Sequence, residues 1–276
     1  MIRLEEGGHW LLLEHAAHAA LAGEFARRWK NAAFAPPEPF AHVLDAVARH
    51  DDSWIERDAQ PRLTPEGKPS AFSVELVGAY AAFEEMDLQA YLDVRAAATE
   101  QAAARDPYAA VLVSMHTVNL VVEQSDPSAL GPEQRRQLDA FAEGQRRRQS
   151  ELKEALRAQP DVAPRATEAH FQAGFEFLQA CDSLSLYVAT RYPNPGFLRH
   201  AQPLRQGGRA RIAIWPDDAT ARYFLDPYPL DEPEIRFAIP YRRVPKTETA
   251  NQERFRAAWR AASAERRPVT LARPAS

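Results

Sequence analysis

Apolar residues recur at three- and four-residue intervals over roughly the first 200 positions and at shorter, alternating intervals after that. The first spacing predicts helices over 15–30, 39–55, 74–104, 107–124, 132–158 and 167–191, in segments rich in Ala, Leu, Glu, Arg and Gln. A short apolar run, Trp10-Leu11-Leu12-Leu13, reads as a strand. Pro36, Pro37 and Pro39 separate the first two helices, and Asp106-Pro107 and Gly131-Pro132 open later ones with proline in the first turn. The connection from Glu56 to Ser73 holds three prolines and a glycine and is long for a compact domain, a length often tied to function. After Gly207-Gly208 the pattern changes. Arg209–Trp215, Ala221–Leu225, Glu234–Ile239 and Val269–Ala272 read as strands, with a turn at Asp217-Asp218 and one helix over Thr249–Ser263. The expected architecture is mainly α: a helical core over residues 1–204 and a small β-rich appendage over 205–276, with the N-terminal strand as a candidate to join it.

Polar residues inside the apolar stripes carry the candidate chemistry. His18, Ala22, Phe25 and Trp29 share one helix face, with His15 one turn earlier. Val43, Val47, His50 and Trp54 form a row beside Leu44, Val47, Asp51 and Trp54, so the pair His50-Asp51 straddles a buried face. Leu112, His116 and Leu120 line up, as do Phe171, Phe175, Leu178, Asp182 and Ser185. A buried carboxylate must meet a cation, and the inward faces of these helices offer few Lys or Arg. A metal ion held by His18, His50, Asp51 and Asp182 would balance both aspartates and bind the imidazoles; a hydrogen-bonded polar network is the structural alternative. Whether His15 or His18 is the first ligand stays open.

Composition narrows the function classes. With Lys+Arg 34 against Asp+Glu 38 the net charge is -4, which argues against a general nucleic-acid binder while leaving room for a local basic patch. The arginines of 133–157 alternate with acids, as on a solvated helix. One cysteine, Cys181, allows no intramolecular disulfide and fits a reducing, cytoplasmic setting; its place beside Asp182 reads as small buried packing. No signal peptide or membrane-length apolar run is expected. No phosphate loop, dinucleotide fingerprint or nucleophile elbow is present around Gly207-Gly208, Ser183 or Ser185.

The order His, then His-Asp, then a distant Asp, all on predicted helices, resembles the HD superfamily of metal-dependent phosphohydrolases. That resemblance implies an HD-like helical bundle in which these residues ligate a divalent metal. The long gap from Asp51 to Asp182 would hold extra helices, and His116 falls where some HD proteins carry further histidines for a second metal. A closer resemblance covers most of residues 1–200. His18-Ala19-Ala20-Leu21-Ala22-Gly23 with Trp29, His50-Asp51-Asp52-Ser53-Trp54, Ser114-Met115-His116 and Asp182-Ser183-Leu184-Ser185-Leu186 are similar to the bacterial family called domain of unknown function 3891, which commonly has Gly where Ser53 stands.

These features point to hydrolysis of a phosphomonoester or phosphodiester by metal-activated water. Asp52 would orient the water or act as base, His116 would bond the water or leaving group, and Arg57 and Lys68 are the rim cations for the anion, with Asp58 behind them. Mixed imidazole and carboxylate ligation suits Mn, Fe, Zn, Co or Ni, and Mg less. The alternatives are a non-enzymatic helical protein that binds a ligand or partner, its appendage rich in aromatics such as Trp215 and Phe224, and an HD-like di-iron oxygenase. The small-molecule phosphate ester is the expected partner, and a homo-oligomer is left open.

Overall fold

The computed structural model describes residues 1–73, 88–123, 130–217 and 221–274. An N-terminal hairpin, β1 (Ile2–Glu6) and β2 (His9–Leu13), turns at Gly7 and Gly8, whose φ values of 52° and 76° are the left-handed conformation a two-residue hairpin loop requires. Next come α1 (His15–Arg28), α2 (Phe40–Arg49), a 3-10 turn at Asp52–Trp54, the short α3 (Ile55–Ala59) and a two-residue strand, β3 (Phe72–Ser73). The helices α4 (Leu88–Ala103), α5 (Pro107–Val118), α6 (Pro132–Arg157) and α7 (Glu168–Ala189) follow, with a π-helical turn over Asn119–Glu123 after α5. The C-terminal part holds β4 (Gly196–Phe197), β5 (Gln202–Pro203), β6 (Arg209–Ala210), β7 (Ala213–Pro216), β8 (Arg222–Asp226), β9 (Glu234–Pro245), α8 (Gln252–Ala261) and β10 (Ala264–Ala272).

Local signals placed the helices well. Asp106 accepts the backbone N–H groups of Tyr108 and Ala109 at 2.9 and 3.2 Å, and Pro107 fills the first helical position of α5. The segment 39–55 breaks where it must: α2 ends at Arg49, and His50 and Asp51 lead into the 3-10 turn. Of the expected helix 74–104, residues 74–87 lie outside the described residues and the rest is α4; Asp218 of the expected turn also lies outside them. The long connection after Glu56 is anchored: Arg3 donates to the Pro69 carbonyl, and Leu63 bridges Pro69.

The expectation of a mainly α protein, an HD-like bundle with only a small C-terminal β-appendage, does not hold. Eight strands form one sheet in the order β3-β1-β2-β9-β10-β8-β7-β4, so the N-terminal hairpin lies within it. β2 pairs with β9 from His9 opposite Pro245 to Leu12 opposite Arg242, and β10 pairs with β9 along its whole length. The sheet is a full second layer. Its inner face carries Leu11, Leu13, Ile235, Ile239, Tyr241 and Leu271 into a common core with Phe25, Phe171 and Leu178 of the helices. On the opposite face Trp10, Leu12 and Val244 pack under Phe255 and Trp259 of α8. β2 is therefore buried on both sides, which is why it reads as an uninterrupted apolar run. Tyr241 donates its hydroxyl to the Ala189 carbonyl at 2.7 Å and so ties the sheet to the end of α7.

Within the helical layer, α1 and α7 pack together, α2 and α5 each pack on α7, and α2 lies against both α1 and α5. Gly23 permits the close approach of α1 and α2: a Cβ built there would lie 2.6 Å from Ala48 Cβ and 3.0 Å from its Cα. Gly23→Ala is expected to push these helices apart and lower stability by about 1–3 kcal/mol, read as a lower urea midpoint.

Candidate metal centre

Four helical elements each deliver one part of the centre. His18 comes from the first turn of α1, His50 and Asp51 from the end of α2, His116 from the last turn of α5 and Asp182 from the interior of α7; all five are buried. Two adjacent residues can both face inward because the chain leaves the helix there: Asp51 has φ −113° and ψ 16°, outside helical geometry. His18, His50 and Asp51 offer ligand atoms within 4.8 Å of one another, and so do His50, His116 and Asp182.

Hydrogen-bond accounting fixes which nitrogens are available. His50 Nδ1 lies 2.9 Å from the Val47 carbonyl, so it carries the proton and donates. Its Nε2 has no hydrogen-bond partner among the described residues and faces Asp182 Oδ1 at 3.4 Å and Asp51 Oδ2 at 3.6 Å. His18 is set in the same way. Ser185 donates its hydroxyl to the Asp182 carbonyl at 2.8 Å, so its oxygen must accept from His18 Nδ1, also at 2.8 Å. That leaves His18 Nε2, 2.8 Å from Asp182 Oδ1, without a proton of its own in the neutral ring. Two lone-pair nitrogens thus converge on one carboxylate oxygen, and only a proton or a cation between them relieves the repulsion. His116 Nε2 is 3.9 Å from Asp182 Oδ2, and its Nδ1 is buried without a partner.

The two aspartates are neutralised differently. Asp51 accepts from Arg95 Nη1 at 2.9 Å, a buried guanidinium on α4 whose Nε donates to the Tyr91 hydroxyl at 3.2 Å and whose carbon lies 5.2 Å from the Trp54 ring centroid. The scarcity of inward cations expected from the sequence is therefore corrected at Asp51. Arg95 is legible by the same stripe test, between Leu92 and Ala98 on the buried face of α4. Ser185, set aside as a nucleophile, serves to orient His18. Among the described residues, the ion-pair partners of Asp182 are histidines only.

Electrostatics follow from this layout. Burial alone would raise the Asp182 carboxyl, but the hydrogen bond with His18 and the neighbouring His50 ring hold it well below the usual carboxylate range. Burial acts the same way on Asp51, and His50 and Arg95 overcome it. Burial pulls the His50 imidazole down, and the Asp51 and Asp182 charges outweigh it, raising the ring to about 9. For His116 burial wins, and the ring falls to about 3.

The remaining expected residues lie outside the donor groups. Asp52 is half-buried beside Arg105, Arg49 and Asp45, with its pKa raised by burial. Arg57 sits 5.9 Å from the Trp54 ring centroid. Lys68 is exposed, and its backbone N–H reaches Thr64 Oγ1 at 3.4 Å. Asp58 accepts the His15 backbone N–H at 2.6 Å and the Met1 ammonium at 3.1 Å. His15 stacks on Trp54 at 4.4 Å and is held by Asp58, so the donor groups contain His18 and not His15.

Two measurements on chelator-treated protein check this picture. The His50 ring, at 6.5 when unfolded and about 9 when folded, contributes stability that is complete below pH 6.5 and lost as pH rises to about 9. Thermal melts should therefore show stability falling across that window, at up to about 1.4 kcal/mol per pH unit for one proton. Arg95→Leu strands the Asp51 charge, and urea titration should show a loss of about 3–5 kcal/mol.

Neither a curated protein nor a solved structure matches the chain. The family model DUF3891, described as a protein of unknown function, matches residues 1–246, and the chain belongs to that family.

Proposed function

We propose that the protein is a metal-dependent hydrolase acting on a phosphomonoester or phosphodiester. The observation that supports this reading best is the Asp182 carboxylate, buried among His18, His50 and His116, with the first two rings turning their Nε2 atoms toward it because their Nδ1–H groups are engaged by Ser185 and Val47. The orphaned His50 Nε2 fits a cation, and the donor set of imidazole and carboxylate suits Mn, Fe, Zn, Co or Ni better than Mg. His18, His50 and Asp182 would hold it, with Asp51 through the oxygen that Arg95 leaves. Both donor groups need the same His50 nitrogen, so they describe one shared ion rather than two. This counts against a di-iron oxygenase.

Such an ion supplies Lewis acidity, which acidifies a water and neutralises charge on a phosphoryl oxygen. The protein supplies the rest. Arg95 keeps Asp51 ionised and turned toward His50. His116 stays neutral down to pH about 3 and offers a ring nitrogen beside Asp182 for a hydrogen bond to water or leaving group. Two carboxylates against one guanidinium and a divalent ion leave positive charge in excess when the rings are neutral, which favours an anionic substrate. The order of the ligands resembles that of the HD phosphohydrolases and supports the same reaction class. Asp52 and Arg57 remain candidates for the rim, and Lys68 is the weaker one because it is exposed beside Thr64.

Protein purified without chelator should carry near-stoichiometric transition metal by mass spectrometry, and His50→Ala and Asp182→Asn should lose it while keeping a native circular dichroism spectrum. Ser185→Ala should weaken metal binding by roughly 10–100-fold, the range for partners that orient a ligand. Metal-loaded protein should release nitrophenol from nitrophenyl phosphate mono- or diesters. Metal-free protein that refuses added metal would overturn the centre, and a loaded protein inert on both ester classes would overturn the reaction.

A further inference from the structure

A second feature lies on the far side of the molecule. In β9 the residues Ile235, Ile239 and Tyr241 enter the core, so Arg236 and its even-numbered neighbours face outward. The register carries that outer face across the sheet: Arg236 opposes Thr270, Thr270 opposes Arg222, and Phe224 opposes Trp215. Arg266, opposite Pro240, belongs to it as well. α8 covers the end of this face near β2 through Phe255 and Trp259. Toward β8 and β7, Arg236 and Arg266 are exposed, and Trp215 and Phe224 are half-buried with ring centroids 5.8 Å apart and planes tilted by 33°. Arg222 is paired with Glu234 at 2.8 Å, while Arg236 and Arg266 form no ion pair or side-chain hydrogen bond among the described residues.

Charge is also segregated along the chain. Residues 1–190 hold 18 Lys and Arg against 29 Asp and Glu, and residues 191–276 hold 16 against 9. The modest overall negative charge thus conceals a basic C-terminal part that builds most of this sheet face.

We propose that this face binds single-stranded nucleic acid, with bases stacking on Trp215 and Phe224 and phosphates meeting Arg236 and Arg266. An open β-sheet that presents aromatic rings on β7 and β8 beside cations on β9 and β10 matches what unstacked bases on a polyanionic backbone require. The acidic helical surface of a second copy would satisfy the arginines and leave the rings against charged side chains, whereas a single strand satisfies both. The site is separate from the metal centre and stands without it.

The test is fluorescence anisotropy of the full chain with labelled oligouridylate and oligothymidylate of about 12 nucleotides across a salt series. Binding should weaken with salt. Trp215→Ala should weaken it about tenfold or more, since each stacked base contributes about 1–3 kcal/mol. The pair Arg236→Gln and Arg266→Gln should lower the slope of log K against log salt by about 1.4, roughly 0.7 for each lost phosphate contact. Both variants should keep the wild-type melting temperature. Absence of binding, equal binding of a duplex of the same length, or indifference to Trp215→Ala overturns the proposal. Salt-sensitive self-association in sedimentation without oligonucleotide binding overturns it in favour of a second copy on this face.

Discussion

The helical layer is organised around one carboxylate. Asp182 is buried in the interior of α7, and imidazoles from α1, the end of α2 and α5 surround it. An ionised carboxylate far from water costs several kcal/mol unless positive charge meets it. Here that charge sits on or between ring nitrogens, groups that can share a proton or ligate a cation and can do neither at full strength alone. The packing of four helical elements and the state of the centre are therefore coupled: whatever occupies the space beside Asp182 also holds those elements to one another.

The contrast with Asp51 gives the arrangement its sense. Arg95 meets Asp51 with a permanent charge, and aromatic faces of Trp54 and Tyr91 flank the guanidinium. The protein thus answers one aspartate with a permanent charge and surrounds the other with imidazoles, which can carry a proton. Ser185 and the Val47 carbonyl complete the arrangement at no cost in charge, because each accepts a hydrogen bond from an Nδ1–H and turns an Nε2 inward. Such outer partners orient the rings of sites that are able to hold a metal.

The sheet bears on the centre through α1. β2 runs into α1 with one residue between them, and β2 is held by β1 on one side and β9 on the other. His18 therefore sits one turn beyond an anchored strand, with Asp58 fixing the first turn of its helix through the His15 N–H. A layer that the sequence presents as peripheral is thus part of what sets the first ligand in place. Its opposite face, basic where the helical layer is acidic, gives the molecule two chemically different sides.

Much of this was written in local pattern. Helix starts followed from Asp106-Pro107 and Gly131-Pro132, and the inward direction of His18, His50, His116 and Asp182 followed from the three- and four-residue repeat, because side chains one turn apart share a face whatever the helix packs against; Asp51 turns inward because the chain leaves the helix there. The N-terminal strand was a candidate for the sheet and joins it, but the pairing and the extent of the sheet were not legible: Leu11 pairs with Arg243 across most of the chain, and strand pairing depends on backbone groups whose partners carry no mark in the sequence. The same holds within the centre. The sequence determined which polar residues must be buried and that their charge had to be answered. Only the tertiary structure decided that Arg95 answers Asp51, that Ser185 sets His18, and that Asp182 is left to the histidines, because those choices turn on distances and proton positions between helices far apart along the chain.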